Sequence, residues 1–321
     1  MPTKTYILCP GQGAQVVGMG KDFYADSPMA RTVLDVAADV LGFDVKAVAF
    51  DGPEDRLNRT DVSQPAIFAT SVAAYRAGEE AGLIDPSQVS AYAGLSLGEY
   101  TALHLAGVFT FEEGLRLVKA RGAYMQAAAV ASPSGMVAVL GADAAAIDKL
   151  CADAAGGEVL VPANYNAPGQ VVVSGSKGAC ARALAAAEAA GFKATALKVA
   201  GAFHSPLMQP AADLMRGELA RATFADPRTT VYSNVTAAPH TDADAIKRLL
   251  VEQIVSPVRW EQTMTALIAA GGDGPRFVEL APNRHLAGLA KRISRRLPIE
   301  SLASVEAMEA LRKASGCEAR V

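Results

Sequence analysis

The stretch GLSLGEY at residues 94–100 decides how this 321-residue chain is read. It follows the apolar run VSAYA (89–93) and precedes TALHLAGVF (101–109), which carries helical patterning. A serine therefore sits between two glycines where a strand turns into a helix. That is the G-x-S-x-G arrangement of a nucleophile elbow, in which the glycines let strand and helix approach closely and the turn pushes Ser96 out of the packed layers. A plain turn whose serine caps the helix fits the same letters. The strand before it and the helix after it favour the elbow.

Outward from this turn, short apolar runs alternate with helical segments. TYILCP (5–10) reads as a buried strand closed by proline, and helical patterning follows over about 29–41. QPAIFATSVAAYRAGEEAG (64–82) and FEEGLRLVKARGAYMQAAA (111–129) read as helices, the first of them stopping at glycine. Such alternation predicts an α/β fold with a parallel sheet covered on both faces. Between 133 and 199 the order changes. GMVAVLG, AAAIDKLCADA, EVLVPANY, QVVVSG, KGACARALAAAEAAG and KATALKV spell β-α-β-β-α-β, the split unit of ferredoxin-like folds. Residues 133–199 are thus expected as an inserted subdomain, with 1–132 and 200–321 forming the main domain. Beyond it, TTVYSN (229–234) and RFVELAP (276–282) read as strands, DADAIKRLLVEQI (242–254) and EQTMTALIAAG (261–271) as helices, and the C-terminal region as helical.

Composition narrows the function classes. With 51% hydrophobic and 20% charged residues the chain can bury a large core. A net charge of -3, from 30 basic and 33 acidic residues, gives no electrostatic case for nucleic acid or membrane binding. No apolar run reaches the roughly 18 residues of a membrane span, and the N-terminus lacks a secretory pattern, so a cytoplasmic location is expected. Cys9, Cys151, Cys180 and Cys317 are scattered without CxxC spacing, which predicts free thiols and no metal site.

A serine hydroxyl needs a base to take its proton, and four histidines are available. His104 lies on the same helix as the elbow, eight residues on, and is expected to point away. His240, in AAPHTDAD, is expected to be solvated. His285, in APNRHLAG, remains a rival. His204, in GAFHSPLM, follows the subdomain's last strand where the chain re-enters the main domain, and position favours it. GQGAQ (11–15) fails the Walker pattern, because Lys21 is followed by Asp22 and the required first glycine is Gln15. It remains either a plain turn or one that aims a backbone N–H at an anion and so forms an oxyanion hole with the N–H of Leu97. Arg121, flanked by Ala120 and Gly122, has room for a ligand beside it and a guanidinium suited to a carboxylate.

GQGAQ, GLSLGEYTAL, RLVKARGAYMQ, NAPGQVVVSG, AFHSPLM and SPVRW stand together in the order of one family. In them the chain resembles the malonyl-CoA:acyl carrier protein transacylases, over nearly its whole length. The resemblance implies an α/β-hydrolase-like domain carrying a ferredoxin-like insertion. It implies Ser96 as the acylated nucleophile, His204 as its base, and the backbone carbonyl of Gln253 orienting that histidine. The backbone N–H groups of Gln12 and Leu97 correspond to the oxyanion hole. Arg121 matches the arginine that pairs with the malonyl carboxylate, and Met125 and Phe203 match acyl-pocket positions. A phenylalanine before the histidine goes with malonyl rather than methylmalonyl. Malonyl-CoA is then the substrate, an acidic acyl carrier protein the transient partner, no cofactor is held, and a monomer is expected. KRISRR (291–296), the densest basic cluster, is a candidate dock for the carrier, and a solvated helix face explains it at least as well. Two departures stand out: Leu95 occupies a position where many members carry histidine, and ELAPNRHLAGL lacks the expected Gly-Pro-Gly. A thioesterase on the same scaffold and a non-catalytic carrier-binding scaffold are the rival functions.

Overall fold

The computed structural model describes residues 4–272 and 274–315. The first strand, β1 (Thr5–Cys9), is followed by α1 (Lys21–Asp26), α2 (Pro28–Leu41), α3 (Val45–Asp51), α4 (Glu54–Leu57) and the long α5 (Thr60–Glu80). The elbow strand β2 (Val89–Gly94) leads into α6 (Gly98–Leu105) and α7 (Phe111–Ala131). A second group then follows: β3 (Ser134–Leu140), α8 (Ala144–Ala155), β4 (Leu160–Ala167), β5 (Gln170–Ser176), α9 (Lys177–Ala189) and β6 (Lys193–Ala196). The chain closes with α10 (Gln209–Arg221), β7 (Thr230–Val231), α11 (Ala243–Gln253), α12 (Trp260–Gly271), β8 (Arg276–Leu280), α13 (His285–Ile293), β9 (Ile299–Leu302) and α14 (Val305–Ser315).

Two sheets organise these elements. The larger is wholly parallel, in the order β7-β2-β1-β8-β9, and the smaller is antiparallel, in the order β4-β5-β3-β6. The chain is therefore an α/β protein with a parallel sheet and a separate ferredoxin-like sheet, as expected. β1 lies at the centre of the parallel sheet and is buried along its whole length, which is why TYILC reads as continuous apolar sequence. Its residues alternate between two cores: Ile7 and Cys9 join the helices α2, α5 and α7, while Tyr6 and Leu8 join Trp260, Met264 and Leu286 on the other face.

Helices cover the small sheet on one face only, while Met136 and Val172 on the other are buried against the main domain. Val137, Val139, Val171 and Val173 pack under Ile147, Leu150 and the buried Ala179, Ala183 and Ala187 of α9, small side chains that let the helix lie close to the sheet. Its other face, with Met136, Ala138 and Val172, looks across a cleft toward the carboxyl ends of the parallel strands, where open α/β sheets place their ligands.

Several expectations need correction. The C-terminal region is not purely helical, since Ile299–Leu302 adds a fifth strand at the sheet edge. Four residues are too few to show a period, so pattern reading passes over them. TTVYSN contributes only a two-residue strand, and the strand of KATALKV ends at Ala196, with one more bond from the Leu197 N–H to the Met136 carbonyl at 2.9 Å, and Leu197 to Val199 line the cleft. Cys9, Cys151 and Cys180 are buried free thiols, and Cys317 lies outside the described residues.

Candidate active site

The elbow is as tight as its glycines require. A Cβ on Gly94 would lie 1.9 Å from the Gly98 carbonyl carbon, and one on Gly98 would lie 2.0 Å from the Cys9 carbonyl oxygen. Strand and helix therefore meet at a distance only glycine permits. Between them Ser96 adopts φ +54°, a strained left-handed conformation that holds its side chain toward the cleft. His204 shares this trait at φ +57°. Both lie on the wall of a cavity of about 390 Å³ between the two sheets.

Ser96 Oγ and His204 Nε2 are 2.8 Å apart, and His204 Nδ1 lies 2.8 Å from the backbone oxygen of Gln253. A carbonyl only accepts, so Nδ1 carries the proton and Nε2 is left with the lone pair that accepts the Ser96 hydroxyl. Burial, reinforced by the charge of Arg121, lowers the His204 pKa to about 4, opposed by the carbonyls of Gln253 and Ser256. The imidazole is thus a neutral base at physiological pH.

Arg121 is fully enclosed in α7 at 1% exposure, an unusual setting for a guanidinium. Its Nη1 donates to Gln64 Oε1 at 2.7 Å, and its Nη2 donates to Gln253 Oε1 at 2.8 Å and to Ser96 Oγ at 3.2 Å. All three acceptors are neutral, and among the described residues no carboxylate pairs with Arg121. Burial lowers its pKa, with Tyr100 and Glu99 opposing. A buried cation with only neutral partners is suited to an incoming anion, because that ligand supplies the counter-charge the protein withholds. Gly122 serves packing rather than ligand space: a Cβ there would lie 2.7 Å from the Thr60 carbonyl oxygen, so the glycine seats α7 against the start of α5.

The remaining predicted residues surround these. Met125 is buried on the cavity wall with Gln64 Nε2 donating to its sulfur at 3.6 Å, and Phe203 lines the same wall beside His204. Gln12 lines the cavity and Leu97 is buried behind Ser96. Neither backbone N–H meets an acceptor among the described residues, so both remain available to an oxyanion. His285 reaches the cavity wall but makes no hydrogen bond to Ser96. His104 is held away among Phe68, Phe109 and Phe111 with Nδ1 against the Phe109 carbonyl. The residues 291–296 put four exposed cations at the end of α13, whose first residue, His285, touches the cavity.

His240 is not solvated. Its N–H bonds the Val231 carbonyl and Tyr232 bridges to Pro239, so the loop folds back along β7 and buries the ring against Glu99, Nε2 to Oε1 2.7 Å. Sequence reading also missed Gln64, Glu99 and Asn234. Asn234 accepts the Ser96 N–H at 2.6 Å and donates to the Gly94 carbonyl at 2.7 Å, bracing the elbow from behind. The available signal was polarity in the wrong place: a glutamine inside an apolar helix and a glutamate on the buried side of the helix after the elbow.

Comparison with known proteins shows the family. A family model described as acyl transferase domain matches residues 5–312, and the chain belongs to that family. Among its relatives is the malonyl CoA-acyl carrier protein transacylase of Escherichia coli K12, 41% identical over 309 residues, spanning 96% of this chain and 98% of the relative. The transacylase of the same name from Bacillus subtilis 168 is 38% identical over 312 residues, spanning 96% of each chain. The solved structure of the Coxiella burnetii malonyl CoA-acyl carrier protein transacylase superposes with a TM-score of 0.92 at 37% identity, covering 98% of both chains. A malonyl-transacylase solved in complex with a type II PKS acyl-carrier protein matches at a TM-score of 0.92 and 38% identity, covering 97% of this chain and 100% of that one.

Proposed function

We propose that the chain is an acyltransferase that moves a malonyl group from malonyl-CoA to the phosphopantetheine thiol of an acyl carrier protein. The observation that carries this is the meeting of three groups distant in sequence. The Ser96 hydroxyl touches both the His204 base and the Arg121 guanidinium inside one cavity.

In the first half-reaction His204 Nε2 takes the Ser96 proton as Oγ attacks the thioester carbonyl. The negative charge that develops on the carbonyl oxygen is held by the N–H groups of Gln12 and Leu97. Collapse breaks the C–S bond, and the CoA sulfur leaves with the proton from His204. In the second half the carrier thiol gives its proton to the same nitrogen and attacks the malonyl ester, returning Ser96 to its hydroxyl form. The malonyl carboxylate carbon stands two bonds beyond the acyl carbon, a short reach that suits a guanidinium already in contact with Oγ. Arg121 then selects malonyl by charge, since an acetyl group leaves it unpaired. Met125 and Phe203 bound the acyl group, and Gln253 keeps His204 in the productive tautomer. Residues 133–199 act as an inserted subdomain that closes one wall of the cleft, with 1–132 and 200–321 carrying the chemistry. No residue is assigned to a cofactor.

A thioesterase on the same scaffold would pass the acyl group to water. Incubation with malonyl-CoA and a carrier protein separates the two: malonylated carrier supports transfer, and free malonate beside unmodified carrier supports hydrolysis. Intact mass after malonyl-CoA alone should show one malonyl adduct, absent in Ser96→Ala. Finding neither adduct nor free malonate would leave only the carrier-binding scaffold.

A further inference from the structure

We propose that Glu99 is a positioning residue for acyl selectivity, acting by fixing which way the side-chain amide of Gln253 faces. This rests on the reading of Arg121 as the partner of the malonyl carboxylate.

Glu99 is wholly buried in the first turn of α6, three residues past the nucleophile, and the reaction as derived above does not use it. Its Oε2 accepts from Gln253 Nε2 at 2.7 Å and from the Asn234 N–H at 3.0 Å, while Oε1 faces His240 Nε2 at 2.7 Å. The logic of donors and acceptors runs outward from this carboxylate. Facing Gln253 and Asn234 it can only accept, so Gln253 must turn its NH₂ group inward, where it also donates to the Ser96 carbonyl at 3.0 Å. The Gln253 oxygen is thereby forced to the other side, where it accepts from Arg121 Nη2 at 2.8 Å. The same nitrogen of Arg121 touches Ser96 Oγ.

A flipped amide would set NH₂ against the guanidinium and oxygen against the carboxylate, leaving two buried mismatches that cost far more than either bond gains. Without an acceptor at position 99 the shortest and only charged of these restraints is lost, leaving the Ser96 carbonyl at 3.0 Å and Asn234 Oδ1 at 3.3 Å to hold the NH₂ group, and the guanidinium's bearing on the acyl group loosens. Acetyl has no carboxylate to place, so its transfer depends on this bearing far less than that of malonyl. The consequence lies in the ratio of the two substrates rather than in activity as such.

The test compares kcat/KM for malonyl-CoA and acetyl-CoA in purified full-length variants. Glu99→Leu keeps the volume and removes the acceptors, and it should lower the malonyl-to-acetyl ratio by about tenfold or more, the effect expected of one misaligned hydrogen bond to a charged group. Glu99→Gln can still accept from Gln253 and Asn234 through its oxygen while donating to His240 in its other tautomer. It should keep the ratio within about threefold of wild type. An equal fall for both substrates in Glu99→Leu, or a ratio in Glu99→Gln as low as in Glu99→Leu, overturns the proposal. Should Glu99→Leu fail to fold, Gln253→Met decides. It retains the backbone carbonyl that bonds His204 and removes only the amide, so the same loss of ratio is expected, and a wild-type ratio overturns the proposal. Arg121→Ala separates the layers. If its ratio also stays at the wild-type value, the assignment of the arginine has failed; if its ratio collapses while that of Gln253→Met does not, only the role of Glu99 has.

Discussion

The cavity has two walls made in different ways. On the parallel-sheet side the side chains that hold Ser96 are tied to one another, with Arg121 Nε and the N–H groups of Gln12 and Leu97 left open among the described residues: Asn234 braces the nucleophile's N–H, Gln253 bonds Glu99 and Arg121, and the histidine is held from behind by a carbonyl. On the small-sheet side Met136, Ala138 and Val172 form an apolar surface, and Asn166 Oδ1 and Gln170 Oε1 are buried without a partner among the described residues. The first wall is preorganised, so charge developing in a transition state meets dipoles already in place. The second leaves its acceptors uncommitted. Substitutions on the first wall should therefore lower kcat, and those on the second should raise KM.

The strongest challenge to this contrast is His204→Ala. Loss of the base should lower malonyl transfer by about a thousandfold or more, with little change in the denaturation midpoint at neutral pH. A loss of only a few-fold in stopped-flow or steady-state transfer assays would mean that another group takes the proton, and His285 on the same wall would be the next to test. Arg121→Ala comes next. Removing the guanidinium should reduce kcat/KM for malonyl-CoA by about a hundredfold, the scale of truncating one partner of a buried charge pair, while acetyl-CoA is spared or improved. Equal losses on both would make the arginine structural.

The two substitutions also connect through pH. His204 is held near 4 against an ordinary value of 6.5, so in the free enzyme it stays a competent base well below neutrality. The acid limb of kcat/KM should accordingly lie below pH 6. The Arg121 charge is one cause of the depression, so Arg121→Ala should move that limb upward. Stability follows the same group with a definite sign. The unfolded imidazole takes up its proton near 6.5 and the folded one only near 4, so stability is full above the first value and is lost as pH falls toward the second. The contribution is on the order of 3 kcal/mol. Urea titrations at pH 7.5 and 4.5, repeated on His204→Ala, should show this part of the pH dependence disappear from the variant.

How much of each wall could be read in the sequence differs in the same way. The elbow was legible because its constraint is local: two glycines and a serine at fixed spacing, between a strand and a helix, leave few alternatives. The βαββαβ order was legible because its strands and helices are long enough to show their periods. The Glu99–His240–Asn234 bracing was not, since these residues join through contacts 135 and 141 positions apart in the chain. His240 looked like loop because AAPHTDAD is loop by composition; only the fold-back along β7 buries it. Position alone could rank His204 above His285, yet the 2.8 Å approach to Ser96 depends on how the chain leaves the small sheet after Ala196.

On the second wall the effects should be smaller. Gln170→Ala removes one uncommitted amide, and a rise of about two- to fivefold in KM for malonyl-CoA with kcat unchanged is expected. A fall in kcat instead would place Gln170 with the chemistry and dissolve the contrast.

The smallest effect is expected farthest from either wall. Lys291, Arg292, Arg295 and Arg296 are exposed around the end of α13, and Lys291 lies six positions along the helix from His285 on the cavity, a rise of about 9 Å. An acidic carrier docked there would meet four cations while its thiol-bearing arm enters the cleft. Exposed pairs are weak and screened, so reversing two of these charges should raise KM for the carrier only about twofold at low salt, and the difference should shrink as ionic strength rises. KM for malonyl-CoA should stay put, since the first half-reaction needs no carrier. A carrier KM that ignores both the charge reversal and the salt would remove 291–296 as a dock, and would leave the cleft itself as the place where the carrier is recognised.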